Sequence, residues 1–198
     1  MKKTIIFTLF FFYFLLMGYA QKRVEFPHEV VLRDTLNKKY SSKLFYNFGK
    51  PIIIEFFASY CSPCISQLNS FKEVYKDWQQ QYGVKIIVIS VDSRNLHKKT
   101  LKMIRKHQWP FPFYFDNDRK LTHKISALGG TPETVIYDGD FNIIAKFIGI
   151  KSNSAYKINK DGSIAKVRVH NNNKYRHLAC DLTRYEEVLK KITKTHVD

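Results

Sequence analysis

The chain has no apolar run long enough to span a bilayer, no cysteine before Cys61, and only 17 acidic residues against 33 Lys and Arg. The longest apolar stretch, Ile5 to Met17, would cover only ~20 Å as a helix against a hydrocarbon core of ~30 Å, which disfavours a permanent membrane span. Lys2 and Lys3 precede it and Gly18-Tyr19-Ala20 follows it. A positive start, a short apolar centre and a small-x-small site describe a secretory signal peptide over residues 1–20, cleaved after Ala20. The rival is an uncleaved anchor. With no cysteine ahead of Cys61, a lipid-modified cysteine at the new N-terminus is excluded. The shortage of acids leaves a net charge of +16, falling to +14 once Lys2 and Lys3 leave. That balance raises a nucleic-acid hypothesis, but no nucleic-acid-binding motif is present, and an exported protein meets little nucleic acid. Attraction to acidic partners or to an anionic membrane surface fits better. No internal repeat is found.

What is present centres on Ile52-Ile53-Ile54-Glu55-Phe56-Phe57-Ala58-Ser59-Tyr60-Cys61-Ser62-Pro63-Cys64. An apolar run of strand character delivers two cysteines, three positions apart, to the start of a helix. A helix N-terminus favours the thiolate of the first cysteine, and the spacing lets the two sulfurs form and break a disulfide. Zinc sites use the same spacing, and His177 and Cys180 could in principle complete such a set. The strand–helix junction and the internal Pro63 favour redox chemistry instead. Export permits a persistent disulfide. Cys180 has no evident partner and reads as a small buried hydrophobe, with a resolving or intermolecular role as the alternative.

Elsewhere, Val30 to Asp34 and Lys39 to Ser42 flank the turn-prone Asn37 as a leading hairpin within residues 21–48. Gly49-Lys50-Pro51 breaks the chain before the strand Ile52 to Phe57. Ile65, Leu68, Phe71, Val74, Tyr75 and Trp78 give a helical stripe over Ile65 to Tyr82, ended by Gly83. Val84 to Val91 reads as a central strand buried on both faces. An amphipathic helix from Leu96 to His107 turns Lys98, Lys99, Lys102, Arg105 and Lys106 to solvent. Phe113 to Phe115 is a short apolar stretch, and a helical segment runs from Arg119 to Leu128. Strands Glu133 to Tyr137 and Phe141 to Ile150 flank the turn Asp138-Gly139-Asp140. A capping box Thr183 to Glu186 opens the last helix. This order predicts an α/β fold, a three-layer sandwich with a central mixed sheet and flanking helices. The domain covers residues 49–198, with 151–181 as an insertion that includes a hairpin around Asp161-Gly162.

Three motifs in order, Phe56 to Cys64, Val88-Ile89-Ser90-Val91-Asp92 and Gly130-Thr131-Pro132-Glu133-Thr134, resemble the thioredoxin superfamily. The likeness is to the exported TlpA/ResA-type thiol–disulfide oxidoreductases, and it spans about Glu29 to Ile150 plus the last helix. The resemblance implies a cis Pro132 beside the cysteine pair, with the Thr131 backbone offered to an extended substrate as an added strand. It implies Cys61 as nucleophile and Cys64 as resolving thiol, with Ser62 and Pro63 bordering the substrate. No cofactor or metal is called for. Glu55 departs from the pattern, since these relatives commonly carry Asn there. It reads either as a strand-end carboxylate reaching solvent, or as a buried acid that takes the proton of Cys64. Gln67 stands where many have Glu, and Phe57 and Tyr60 where tryptophans are frequent.

The expected function is reduction of disulfides in envelope or periplasmic proteins, with re-reduction by a membrane electron donor. The alternatives are a disulfide-donating oxidase and a binding module built on the same fold. A peroxidase is disfavoured, because peroxiredoxin nucleophiles usually sit in Thr-x-x-Cys without a second cysteine three positions later.

Overall fold

The computed structural model describes residues 26–126, 130–149, 154–158, 164–168, 178 and 180–194. Within these, nine strands form one mixed sheet: β1 (Val31–Asp34), β2 (Lys39–Ser41), β3 (Ile52–Phe57), β4 (Lys85–Ser90), β5 (Phe113–Phe115), β6 (Glu133–Tyr137), β7 (Ile143–Ile148), β8 (Ser154–Ile158) and β9 (Ile164–Arg168). Their order is β2-β1-β5-β4-β3-β6-β7-β8-β9. Four helices accompany the sheet: α1 (Ser62–Tyr82), α2 (His97–His107), α3 (Lys120–Ile125) and α4 (Thr183–Lys194).

β3 is central because, apart from Glu55, it is apolar on both faces; all six of its residues are buried. It pairs in parallel with β4 and antiparallel with β6. The hairpin read as a lead-in joins the same sheet, with Arg33 opposite Phe115 and Asp34 opposite Tyr114. At the other edge, β8 and β9 pair antiparallel around residues 159–163, inside the segment expected as an insertion.

α1 buries the expected stripe, with Leu68, Phe71, Tyr75, Trp78 and Tyr82 inside. It starts three residues earlier than Ile65, because Pro63 fits a first helical turn and Cys61 caps it. At the far end Gly83 adopts φ +64 and its N–H donates to the Gln79 carbonyl at 2.9 Å, a left-handed cap that glycine adopts without strain. α1 meets α4 where the rings of Phe71 and Tyr185 lie 5.1 Å apart. It meets the end of α2 where Lys72 donates to the His107 carbonyl at 2.8 Å. The long residues of the basic stretch face solvent as expected, while Thr100 of α2 is buried.

Several boundaries differ from expectation, each for a local reason. A 3-10 turn, Arg94–Leu96, precedes α2. Arg119 adopts φ +53, outside helical space, so α3 begins at Lys120; residues 127–129 lie outside the described set. Phe141 adopts φ +60 and completes the turn after Asp140, so β7 starts at Ile143. Asp181 stands at the start of α4, its Oδ1 accepting both the Thr183 N–H at 3.0 Å and the Thr183 hydroxyl at 2.7 Å. Glu186 turns inward, where Tyr82 donates to its Oε1 at 3.2 Å.

The turn between β6 and β7 is tight against the loop before β3. A Cβ on Gly139 would stand 2.2 Å from the Gly49 carbonyl oxygen, closer than any backbone allows. Gly139→Ala therefore forces the two loops apart. A loss of about 1–3 kcal/mol is expected in chemical denaturation, the range for overpacking; an unchanged midpoint would contradict this contact.

Candidate active site

The local sequence builds the site at the C-terminal end of β3. After Phe57 the chain leaves the sheet and the Cys61 N–H donates to the Ala58 carbonyl at 3.0 Å. Cys61 then occupies the N-cap of α1 with extended backbone, and its sulfur accepts the Cys64 N–H at 3.2 Å. Cys61 and Cys64 form a disulfide, with Cα atoms 5.3 Å apart. The two sulfurs differ in access. Cys61 retains 8% exposure between exposed Tyr60, Ser62 and Pro63, whereas Cys64 is fully buried.

The loop that delivers Cys61 is held from below by Asp92, which the sequence reading placed only in a strand motif. Both Asp92 carboxylate oxygens accept the Ser59 N–H at 3.1 Å. The carboxylate also accepts from Ser90 Oγ at 3.2 Å and from the Thr100 hydroxyl. One buried acid thus joins the cysteine loop, the end of β4 and α2. An acid closing an apolar strand is the signal that could have drawn attention to it.

Thr131–Pro132 is a cis peptide bond. Register places it at the cysteine end of the sheet, since Glu133, the next residue, pairs with Phe56. Thr131 is half-buried and Pro132 buried. The Pro132 carbonyl accepts the Gly149 N–H at 3.0 Å, and the Gly149 carbonyl accepts from Arg184 at 2.6 Å. The loop carrying Pro132 is thereby tied to α4.

Glu55 is fully buried, which removes the solvent-reaching alternative. It faces Thr134 across the β3–β6 ladder. Its Oε2 accepts from Thr134 Oγ1 at 2.5 Å and from Gln67 Nε2 at 3.0 Å. Gln67 lies one turn after Cys64 on α1, and its Nε2 also reaches Thr134 Oγ1 at 2.8 Å and the Tyr185 hydroxyl at 2.9 Å. Arg184 donates to that same hydroxyl at 2.9 Å. Two amide hydrogens cannot serve three oxygens at once, so the hydroxyls of Thr134 and Tyr185 must orient around whichever bonds Gln67 makes.

Burial pushes the Glu55 carboxyl well above its ordinary value of 4.5; the Thr134 hydrogen bond and the Arg184 charge oppose this, and the Glu133 charge reinforces it. Its Oε1 faces no donor, an arrangement that a neutral carboxyl tolerates better than a carboxylate. Cys180 is buried with its amide donating to Ser70 Oγ at 3.1 Å. Burial raises its thiol to about 12, as suits a packed hydrophobe. Neither Tyr185 nor Arg184 stands out in the sequence as a site residue. Nothing local marks either one, since Gln67 is separated from Tyr185 by 118 positions.

The comparisons with known proteins agree with this geometry. Residues 25–167 match the model of the AhpC/TSA family. The chain belongs to the AhpC/TSA family. Among curated relatives, a protein of Bacillus cereus named thiol-disulfide oxidoreductase ResA is 27% identical over 101 residues, 51% of this chain and 56% of the relative. The chain thus spans little more than half the length of that relative. A ResA of Bacillus thuringiensis subsp. konkukian is 25% identical over 143 residues, 72% of this chain and 79% of the relative. A thioredoxin-like protein from Porphyromonas gingivalis, known from its solution structure, superposes with TM-score 0.53 at 29% identity. That match covers 60% of this chain and 77% of that one. The thioredoxin domain of a Bacteroides vulgatus thiol-disulfide oxidoreductase gives TM-score 0.53 at 18% identity, covering 66% and 91%; at that identity it bears on the fold alone. The fold is the thioredoxin-like α/β arrangement expected from the sequence. His177 lies outside the described residues, and Cys61 and Cys64 are committed to each other, so the zinc alternative gains no support here.

The raised Glu55 value sets a stability trend. The folded protein holds this proton at a pH where the unfolded chain has released it, so the folded state binds more protons than the unfolded one above about 4.5. Stability must then fall as pH rises from the unfolded value towards the folded one. Urea melts of wild type and Glu55→Gln across that window are expected to diverge, the variant lacking this decline; parallel curves would contradict a carboxyl held protonated by burial.

Proposed function

We propose that this chain is an exported thiol–disulfide oxidoreductase that reduces disulfides in proteins of the cell envelope or periplasm. The observation that carries the reading is the unequal burial of Cys61 and Cys64 at the start of α1. One sulfur meets a partner protein while the other is held back to release it.

In the reduced form, the Cys61 thiolate attacks one sulfur of a substrate disulfide. The substrate S–S bond breaks, a Cys61–substrate bond forms, and the departing sulfur leaves as a thiolate that takes a proton from water. Cys64 then gives its proton to Glu55 in its ionised form, which burial makes a stronger proton acceptor than an ordinary carboxylate, and attacks Cys61 Sγ, expelling the second substrate thiolate. The Cys61–Cys64 disulfide forms and two electrons have passed to the substrate. Gln67, one turn beyond Cys64, places its amide on the Glu55 carboxyl and so holds the acceptor under the helix start. A membrane-bound dithiol donor would restore the pair. Ser62, Pro63, Thr131 and Pro132 border the path of the substrate, and the Thr131 backbone would receive it as an added strand.

The direction of electron flow follows from the reduction potential. A value near that of thioredoxin, ~−270 mV, is expected; one near DsbA, ~−120 mV, would make the chain a disulfide donor instead. Insulin reduction should be abolished in Cys61→Ser and in Cys64→Ser, and equal turnover in wild type and both variants would leave only a binding module. Glu55→Gln should slow release of the mixed disulfide on the order of a hundredfold without altering its formation; unchanged release kinetics would return Glu55 to a structural part.

A further inference from the structure

The end of the molecule opposite the cysteine pair carries a cluster that the exchange chemistry does not use. α1 has 21 residues, so its C-terminal cap Gly83 lies ~30 Å along the helix from Cys61. The side-chain amide of Asn47 donates at 2.9 Å to the carbonyls of both Gly83 and Pro51, which fixes the loop before β3 at that end. On this loop Leu44 is 57% exposed, Tyr46 48% and Phe48 86%. Together with Phe141 they line an open cavity of about 750 Å³. Tyr46 lies 5.6 Å from Phe48 and 6.0 Å from Phe141, ring centre to ring centre.

Two aromatic residues of this cluster also sit in strained backbone. Phe48 has φ +51 and Phe141 φ +60, a region that bulky side chains rarely enter and that persists where the surroundings impose it. Holding an almost wholly exposed phenylalanine in such a conformation has no return in stability. It does present the ring outward.

The surroundings indicate what the ring meets. Lys43 and Lys85 stand at the cavity, Lys50 packs beside Gly83, and Asp140 is the acid among the lining residues. Among the described residues none of these three lysines is ion-paired. Phe26 stacks on Phe141 at 4.4 Å, so the described chain begins at this same face. In the uncleaved chain only eight residues lie between Met17, the end of the apolar stretch, and Phe26, a reach of no more than about 32 Å. Exposed aromatic rings rimmed by lysines are the composition that settles at a membrane–water interface, where the rings enter the headgroup layer and the lysines meet its anionic charge.

We propose that this aromatic and lysine-rimmed pole, built on Leu44, Tyr46 and Phe48, docks on the surface of an anionic phospholipid bilayer and leaves the Cys61–Cys64 pair facing away from it. The contact is separate from the exchange chemistry, so insulin reduction in solution is unchanged when it is removed.

The test uses the full chain, oxidised at Cys61–Cys64, with Phe48→Cys carrying an environment-sensitive fluorophore. Because Ile5 to Met17 could itself hold the chain on vesicles, the readout is the environment of the label. Vesicles of phosphatidylcholine with phosphatidylglycerol should shift its emission to the blue, and phosphatidylcholine alone should do so far less. Lys43→Gln and Lys50→Gln should each weaken the anionic-lipid response on the order of fivefold. A label introduced by Lys98→Cys, near the cysteine end, should stay in water. The proposal is overturned if the label at 48 remains water-like on anionic vesicles, or if the label at 98 enters the lipid in its place. A blue shift at 48 that needs no lipid and grows with protein concentration would likewise overturn it, because the face would then be meeting a second copy of the chain.

Discussion

A carboxyl placed in the middle of a buried strand is the constraint around which the site is arranged. Glu55 has no route to solvent, and an unpaired carboxylate there would cost several kcal/mol. Three elements far apart in the chain supply what it requires: Gln67 from α1, Thr134 from β6, and the Arg184–Tyr185 pair from α4. Satisfying one acid therefore fixes the position of the cysteine helix relative to the strand after Pro132, and of α4 relative to both. Through Gln67, one turn beyond Cys64 on α1, the same contacts tie the cysteine helix to this acid.

The cysteine loop depends on a second acid in contrasting surroundings. Asp92 accepts bonds from the Ser59 amide and from the hydroxyls of Ser90 and Thr100, so both of its oxygens are occupied. Glu55 receives fewer donors and has one oxygen facing none. Two buried carboxyls near one redox pair thus differ in their partners: Asp92 has donors on both oxygens and ties three elements together, while Glu55 has donors on one oxygen alone.

The molecule is also polar in its organisation. α1 runs from a reactive end, where Cys61 caps it, to a distal end, where Gly83 caps it and Asn47 clamps it. The reactive end exposes Tyr60 beside a nearly buried sulfur; the distal end exposes Phe48 beside lysines. The length of one helix keeps these two surfaces apart.

Much of this was legible in the chain itself. The continuous apolar run of β3, the stripe of α1, the Cys-x-x-Cys at their junction and the order of strands and helices follow from local patterning, which neighbouring residues determine. Boundaries were less legible where single residues entered left-handed backbone, as at Arg119 and Phe141, because no side-chain pattern announces it. The sequence alone determined that two cysteines stand at a helix start and that an acid interrupts the strand before them. Only the tertiary structure decided that Cys64 is closed off and that Glu55 is buried under Gln67, Thr134 and Tyr185. Burial and hydrogen bonding across more than a hundred positions are properties of packed surfaces, and no local stretch of sequence contains them.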